Sequence, residues 1–173
     1  MPSDDLRSPD ASSGAAMTIE LTINGTAQTL AVDPGEVALD TLRRAGYASV
    51  KRGCDEGDCG SCSILVDGQL MRACLLYAGQ LHGRAVTTVE GLGTARAPHP
   101  IQRAFVEAGA VQCGYCTPGM ILATHALLAE HPDPTEDQIR KGLDGNLCRC
   151  TGYVKILDGV RIAAKALGQG GDK

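Results

Sequence analysis

Tryptophan is absent and phenylalanine occurs once, as Phe105. A packed interior must therefore be aliphatic, built from Leu, Val, Ile and Ala. The chain has 173 residues, 43% of them hydrophobic, enough for one ordinary domain or two small ones. An excess of basic charge is also lacking, since 16 Lys and Arg stand against 20 Asp and Glu, a net charge of -4. That balance disfavours nucleic acid and anionic membranes as partners. No apolar run is long enough to span a bilayer. The N-terminus lacks the basic start and apolar stretch of a secretory signal, and Arg43-Arg44 lies too far inside to be a twin-arginine leader. A cytoplasmic location is expected, where clustered cysteines bind metal more often than they form disulfides. The four histidines (His82, His99, His125, His131) form no HExxH or paired-ligand pattern. No glycine-rich loop follows a strand and opens a helix, so nucleotide or flavin binding on this chain is not expected.

What the chain does have is eight cysteines in three clumps. Cys54, Cys59 and Cys62 follow C-x4-C-x2-C, with Cys74 after a gap. This is the plant-type [2Fe–2S] spacing, and it is unusual for zinc. Cys113 and Cys116 form C-x2-C, and Cys148 and Cys150 form C-x-C. Two sets of four thiolates suggest two clusters and a wire for electrons. A disulfide between the latter pairs and a zinc-stabilised binding module are the alternatives that spacing leaves open.

The pattern predicts an α+β chain in two halves. Residues 1–16, rich in Ser, Ala, Asp and Pro, read as a disordered tail. In residues 17–91, Ile19, Leu21 and Ile23 alternate with polar residues as in a half-buried strand. Asn24-Gly25 is a two-residue hairpin turn, with Leu30 and Val32 in the return strand. Asp33-Pro34 is expected to start a helix with Ala38, Leu42 and Ala45 on its apolar face and Gly46 as the stop. A second hairpin runs Ser63–Val66, Asp67-Gly68, Gln69–Ala73, and Ala85–Val89 reads as a last strand. Residues 92–99 are the expected linker.

Residues 100–168 read as four helices in a small bundle, with 169–173 a tail. Pro100 to Ala108 carries Ile101, Ala104 and Phe105 at helical spacing and ends at Gly109. Thr117-Pro118 is expected as N-cap and first helical position of a helix that Pro132 stops. Thr135 with Gln138 is a capping box. The last helix, from about Tyr153 to Leu167, places Ile156, Val160, Ala163, Ala164 and Leu167 on one face.

Local geometry explains why these cysteines can share a site. Gly53, Gly57 and Gly60 let the first loop wrap a small anionic body with N–H groups pointing inward. Asp55, Glu56 and Asp58 form a solvated acidic rim. With a two-residue turn at Asp67-Gly68, Ile64 faces Met71 and Cys62 faces Ala73, which returns Cys74 beside the loop. Cys113–Cys116 and Cys148–Cys150 both precede helix starts, where the dipole and free N–H groups favour thiolate.

Lys51-Arg52-Gly53-Cys54 through Cys59-Gly60-Ser61-Cys62, Gln112-Cys113-Gly114-Tyr115-Cys116-Thr117-Pro118-Gly119-Met120, and Asn146-Leu147-Cys148-Arg149-Cys150-Thr151-Gly152-Tyr153 together resemble the iron–sulfur subunit of the molybdenum hydroxylases, the xanthine oxidase family. The resemblance covers roughly residues 17–168, with Ser61 where many members carry Ala. It implies a β-grasp, plant-ferredoxin-like domain followed by a four-helix bundle domain, each with one [2Fe–2S] cluster. Cys54, Cys59, Cys62 and Cys74 would hold the first. Cys113, Cys116, Cys148 and Cys150 would hold the second, nearer molybdenum. Gln112 and Cys150 would approach the molybdopterin of a partner, a cytosine dinucleotide form included. The implied partners are a large molybdenum-cofactor subunit and a medium FAD subunit, in a dimer of heterotrimers. The chain would be an electron-transfer subunit of an oxidoreductase, with no substrate site of its own. The alternative function is a stand-alone two-cluster ferredoxin or redox sensor.

Overall fold

The computed structural model describes residues 16–168. The expected tails at 1–16 (Ala16 apart) and 169–173 lie outside the described residues.

The first half is built on two hairpins. Strands β1 (Met17–Ile23) and β2 (Thr26–Val32) pair antiparallel around Asn24-Gly25, whose φ angles of 51° and 78° are those a two-residue turn demands. Ile19, Leu21 and Ile23 are buried and their polar neighbours largely exposed. β3 (Ser63–Val66) and β4 (Gln69–Arg72) pair around Asp67-Gly68 in the expected register, Ile64 opposite Met71. The Ala73 N–H donates to the Cys62 carbonyl at 3.2 Å, so the count from the turn holds to the cysteine itself. β5 (Ala85–Thr87) lies between β1, which it meets in parallel, and β3, which it meets antiparallel. The five-stranded order is β2-β1-β5-β3-β4. Helix α1 (Ala38–Arg44) adds Ala38, Leu39 and Leu42 to the core formed with Ile19, Ile23 and Ile64. This is a ferredoxin-like arrangement.

Three local expectations fail here. Helix α1 starts at Ala38, not at Asp33-Pro34, because Ala78 N–H donates to Glu36 O and Ala38 N–H to Leu76 O, both at 2.8 Å, holding Val37 extended as the residue before the helix. Ala45 is therefore a half-buried cap residue and not part of the apolar face. Strand β5 stops at Thr87 because the Asn24 side chain bonds both Thr88 N–H (2.9 Å) and Thr88 Oγ1 (3.0 Å). Val89–Leu92 then winds into the short helix α2. Ala73 begins a 3₁₀ turn, Ala73–Leu75, which carries Cys74 inward.

The second half is helical: α3 (Pro100–Glu107), α4 (Thr117–Glu130), α5 (Glu136–Gly142) and α6 (Val154–Gly168). They enclose a second core of Ile101, Phe105, Met120, Ile139, Ile156 and Val160. α3 crosses α6 at Gly159, where a Cβ would lie 3.2 Å from Phe105 Cδ2, so the single phenylalanine packs against bare backbone. The Thr135–Gln138 capping box and the Gly109 stop (φ 66°) form as expected. Thr117 is not the N-cap. Cys116 takes that position, its carbonyl accepting from Met120 N–H at 3.0 Å, and Thr117 falls in the first turn. Leu167 is exposed because α6, at 15 residues, outruns the 8-residue α3.

His99 caps α3, its Nδ1 accepting from Ile101 N–H at 3.3 Å, and its ring stacks obliquely on His125 at 5.9 Å. Burial lowers the pKa of both, and their mutual proximity lowers that of His99 further. Each folded-state value lies below the unfolded one of about 6.5, so the unfolded chain binds more protons between the two. Stability is therefore expected to fall as pH drops through about 6.5 toward the lowered values, then to level off for these groups. Urea midpoints across that range test this. His99→Asn, which keeps a capping acceptor but cannot titrate, is expected to flatten the slope.

Candidate metal centres

All eight cysteine side chains are free, and their mutual contacts divide them into Cys54, Cys59, Cys62 and Cys74 on one hand and Cys113, Cys116, Cys148 and Cys150 on the other. In the first group, Cys54 sits at the head of a loop whose next residue, Asp55, has φ 62°. That turn lets Glu56 N–H and Cys59 N–H both aim at Cys54 Sγ, at 3.5 and 3.4 Å. These backbone hydrogen bonds hold the Cys54 thiol down at about 7. Cys62 and Cys74 lie beneath the loop, 2% and 8% exposed, with Sγ atoms 3.4 Å apart. Burial pushes Cys74 up to about 12, and the neighbouring Cys62 adds to the rise.

In the second group, Cys150 Sγ and Cys113 Sγ are 3.5 Å apart, and both residues are exposed. Cys116 and Cys148 form the inner pair. Burial pushes Cys116 up to about 12, with the adjacent Cys148 contributing. Burial also acts upward on Cys148, but the Thr151 hydroxyl, donating at 3.2 Å, and nearby backbone N–H groups outweigh it and lower its pKa. Tyr153 (φ 69°) bends the chain so that its hydroxyl accepts from Cys148 N–H at 2.9 Å just before α6 begins. The expected placement at the starts of α4 and α6 is observed for both pairs.

This chemistry fits an [2Fe–2S] cluster better than a single ion. Among the described residues, no three His, Cys, Asp or Glu side chains close on one point as a mononuclear ion would require. The closest sulfur approaches are pairwise. Two thiolates on one tetrahedral ion, with bonds of about 2.3 Å, sit roughly 3.8 Å apart, close to the spacings found here. A binuclear cluster needs two thiolates on each of two ions. Burial is the main cause that drives Cys74 and Cys116 up, and the neighbouring thiols Cys62 and Cys148 add to it, since two thiols at such range cannot both ionise without a cation. A bound metal would remove that conflict.

The two groups touch. Leu147 N–H donates to the Cys59 carbonyl at 2.9 Å, so one backbone hydrogen bond joins the loop of Cys59 to the residue before Cys148. The Tyr115 hydroxyl donates to the Arg52 carbonyl, tying the Cys113–Cys116 loop to the first loop as well. None of these ties between the halves is readable from spacing.

Gln112 is exposed beside Cys113, on the side of the molecule where the Cys113–Cys150 pair opens to solvent. Large apolar side chains stand exposed in the same segments: Val111, Tyr115, Leu147 (55%) and Val154 (64%). Behind Cys113, a shallow apolar groove of about 410 Å³ is lined by Val106, Val111, Pro118 and Ile121 among others. Leu75 and Tyr77 are comparably exposed in the first half, so apolar exposure is not confined to this face.

Comparison with known proteins finds one family model over each group of cysteines. A family model described as "2Fe-2S iron-sulfur cluster binding domain" matches residues 21–83, and one described as "[2Fe-2S] binding domain" matches residues 88–161. The nicotinate dehydrogenase small FeS subunit of Eubacterium barkeri is 47% identical over 150 residues, covering 86% of this chain and 96% of that one. The xanthine dehydrogenase iron-sulfur-binding subunit of Escherichia coli O157:H7 is 46% identical, covering 83% and 92%. The crystal structure of quinoline 2-oxidoreductase from Pseudomonas putida 86 contains a chain that superposes with a TM-score of 0.86 at 42% identity, covering 91% of this chain and 99% of that one.

Proposed function

Because the chain belongs to the small iron–sulfur subunits of the molybdenum hydroxylases, we propose that it carries electrons from a large molybdopterin-bearing subunit to FAD on a medium subunit. When bound, each [2Fe–2S] cluster takes up and releases one electron. The rest is the work of this chain's residues. Cys54, Cys59, Cys62 and Cys74 hold the first cluster in a β-grasp domain of residues 17–91. Cys113, Cys116, Cys148 and Cys150 hold the second in a four-helix bundle of residues 100–168, beyond a linker at 92–99. Gln112, which can both donate and accept, and Cys150 face the pterin of the large subunit. The assembly is a dimer of heterotrimers in the cytoplasm, and the substrate is bound by the large subunit.

The observation that carries this reading is the Leu147–Cys59 hydrogen bond, which sets the two groups of cysteines one backbone contact apart. Two centres so joined serve as consecutive stations and not as independent ferredoxins. The exposed apolar side chains around Cys113 and Cys150 favour a docked subunit over a stand-alone carrier.

Low-temperature electron paramagnetic resonance on the dithionite-reduced protein, with iron counted on the same sample, tests the proposal. Two distinct S = 1/2 signals and about four irons per chain are expected. One signal with about two irons would reduce the chain to a single-cluster carrier. A chelator should strip the second centre first from the isolated chain, because Cys113 and Cys150 are exposed while Cys62 and Cys74 are buried. In the complete complex that difference should vanish, and equal loss from both centres of the isolated chain would contradict it.

A further inference from the structure

Three segments that carry cysteines meet around the backbone of Gly60. Gly60 lies between Cys59 and Cys62 with φ 68°. A Cβ on Gly60 would collide with Asn146 Oδ1 and with the Gly145 carbonyl. A Cβ on Gly119, in the first turn of α4 after Cys116, would collide with the Gly60 carbonyl. The 59–62, 116–119 and 145–148 segments therefore pack backbone to backbone.

A buried polar network surrounds this meeting point. Ser63 Oγ donates to Gly60 O at 2.6 Å and accepts from Arg72 at 2.6 Å. The second terminal nitrogen of Arg72 donates to Gly145 O at 3.0 Å, so one guanidinium spans both halves. Asn146, 2% exposed, has its amide 3.3 Å from Ser63 Oγ. Ser63 has one proton, and the shorter bond to Gly60 uses it. Its remaining lone pair needs a donor. With the Asn146 oxygen facing Ser63, Nδ2 is left buried and without a partner. Turning the amide resolves both problems, since its NH₂ then donates to Ser63, and an under-used carbonyl is the lesser penalty.

We infer that Asn146 and Arg72 are positioning residues that fix the separation of the two clusters. The inference rests on both groups of cysteines holding a cluster, as proposed above. Neither side chain is assigned to a metal. Asn146 braces the Gly60 loop from the helical half, and Arg72 braces Gly145 from the ferredoxin half. Between them runs the Leu147–Cys59 hydrogen bond, whose geometry they hold. An arginine suits the place because its planar fork brings two separate nitrogens to the two acceptors, where a lysine has a single nitrogen to share between them.

The test is the magnetic interaction between the two reduced clusters, which falls with the cube of their separation, measured by pulsed electron paramagnetic resonance on the full chain. The wild-type chain should show one sharp splitting. In Asn146→Ala and Arg72→Lys, iron content and both individual signals should persist while the splitting shrinks and spreads. A merely structural role would lower stability and leave the splitting of the folded fraction unchanged. Arg72→Lys retains the charge and sits on edge strand β4, so it decides the matter if Asn146→Ala loses a cluster. A native splitting in Arg72→Lys with full iron overturns the inference. Fewer than two signals in the wild-type chain overturns the two-cluster reading instead.

Discussion

Cys62→Ser is expected to halve the iron, leaving about two per chain, and to keep only the signal of the helical half. The side chain is 2% exposed, with Cys74 Sγ at 3.4 Å as its partner. A serine there loses the thiolate and buries a hydroxyl without an assured acceptor, a penalty of about 1–3 kcal/mol. Loss of the metal centre costs more. Structural metal sites contribute folding free energy on the order of 10 kcal/mol, comparable to the whole stability of a small domain. The ferredoxin half should therefore lose cooperative unfolding, seen as a broadened early transition in urea. Cys150→Ser makes a contrast, because Cys150 is exposed and its replacement buries nothing. It should cost the other signal while the ferredoxin half unfolds as before. A Cys62→Ser chain with full iron would remove Cys62 from the first centre.

These effects follow from features of very different legibility. Turns are readable because glycine and asparagine chemistry is local. Asp67-Gly68 sets the β3–β4 register as far as Cys62 and Ala73, which is how Cys74 can be placed beside a loop twelve positions earlier. The Thr135–Gln138 box is equally local. Sequence reasoning goes astray where a distant strand or side chain decides. Residues 35–37 look ready for a helix after Asp33-Pro34, yet the bridge between Val37 and Tyr77 delays it to Ala38. Val89 looks like strand, yet Asn24 bonds Thr88 and turns the chain into α2. Asn146 shows the limit most plainly. Its place before the C-x-C pair is visible in the sequence, but its burial against Ser63, 83 positions away, belongs to the packing of the two halves. Gly119 offers one usable signal: a glycine in a helix's first turn, where it lowers helix stability, marks a close approach.

Gly60→Ala and Gly119→Ala should both destabilise, and their effects should not add. At Gly119 two effects oppose each other. Alanine favours a helix by about 1 kcal/mol over glycine. The methyl would meet the Gly60 carbonyl, and overpacking against backbone costs roughly 1–3 kcal/mol. The clash should prevail, with a net loss of about 1 kcal/mol. At Gly60 nothing compensates. A left-handed alanine costs about 1–2 kcal/mol, and its methyl meets Asn146 and the Gly145 carbonyl, for a total of about 2–5 kcal/mol. Both methyls push apart the same backbone contact from opposite sides. Once one has opened the joint, the other meets less resistance, so the double variant should fall short of the sum by at least about 0.5 kcal/mol. Gly79→Ala serves as the reference, because its Cβ would find only the Met17 side chain at 3.6 Å, ordinary van der Waals contact. Urea midpoints on the wild-type chain, the two single variants and the double variant complete the cycle. Strict additivity would mean that Gly60 and Gly119 relax independently and that the halves share no rigid joint.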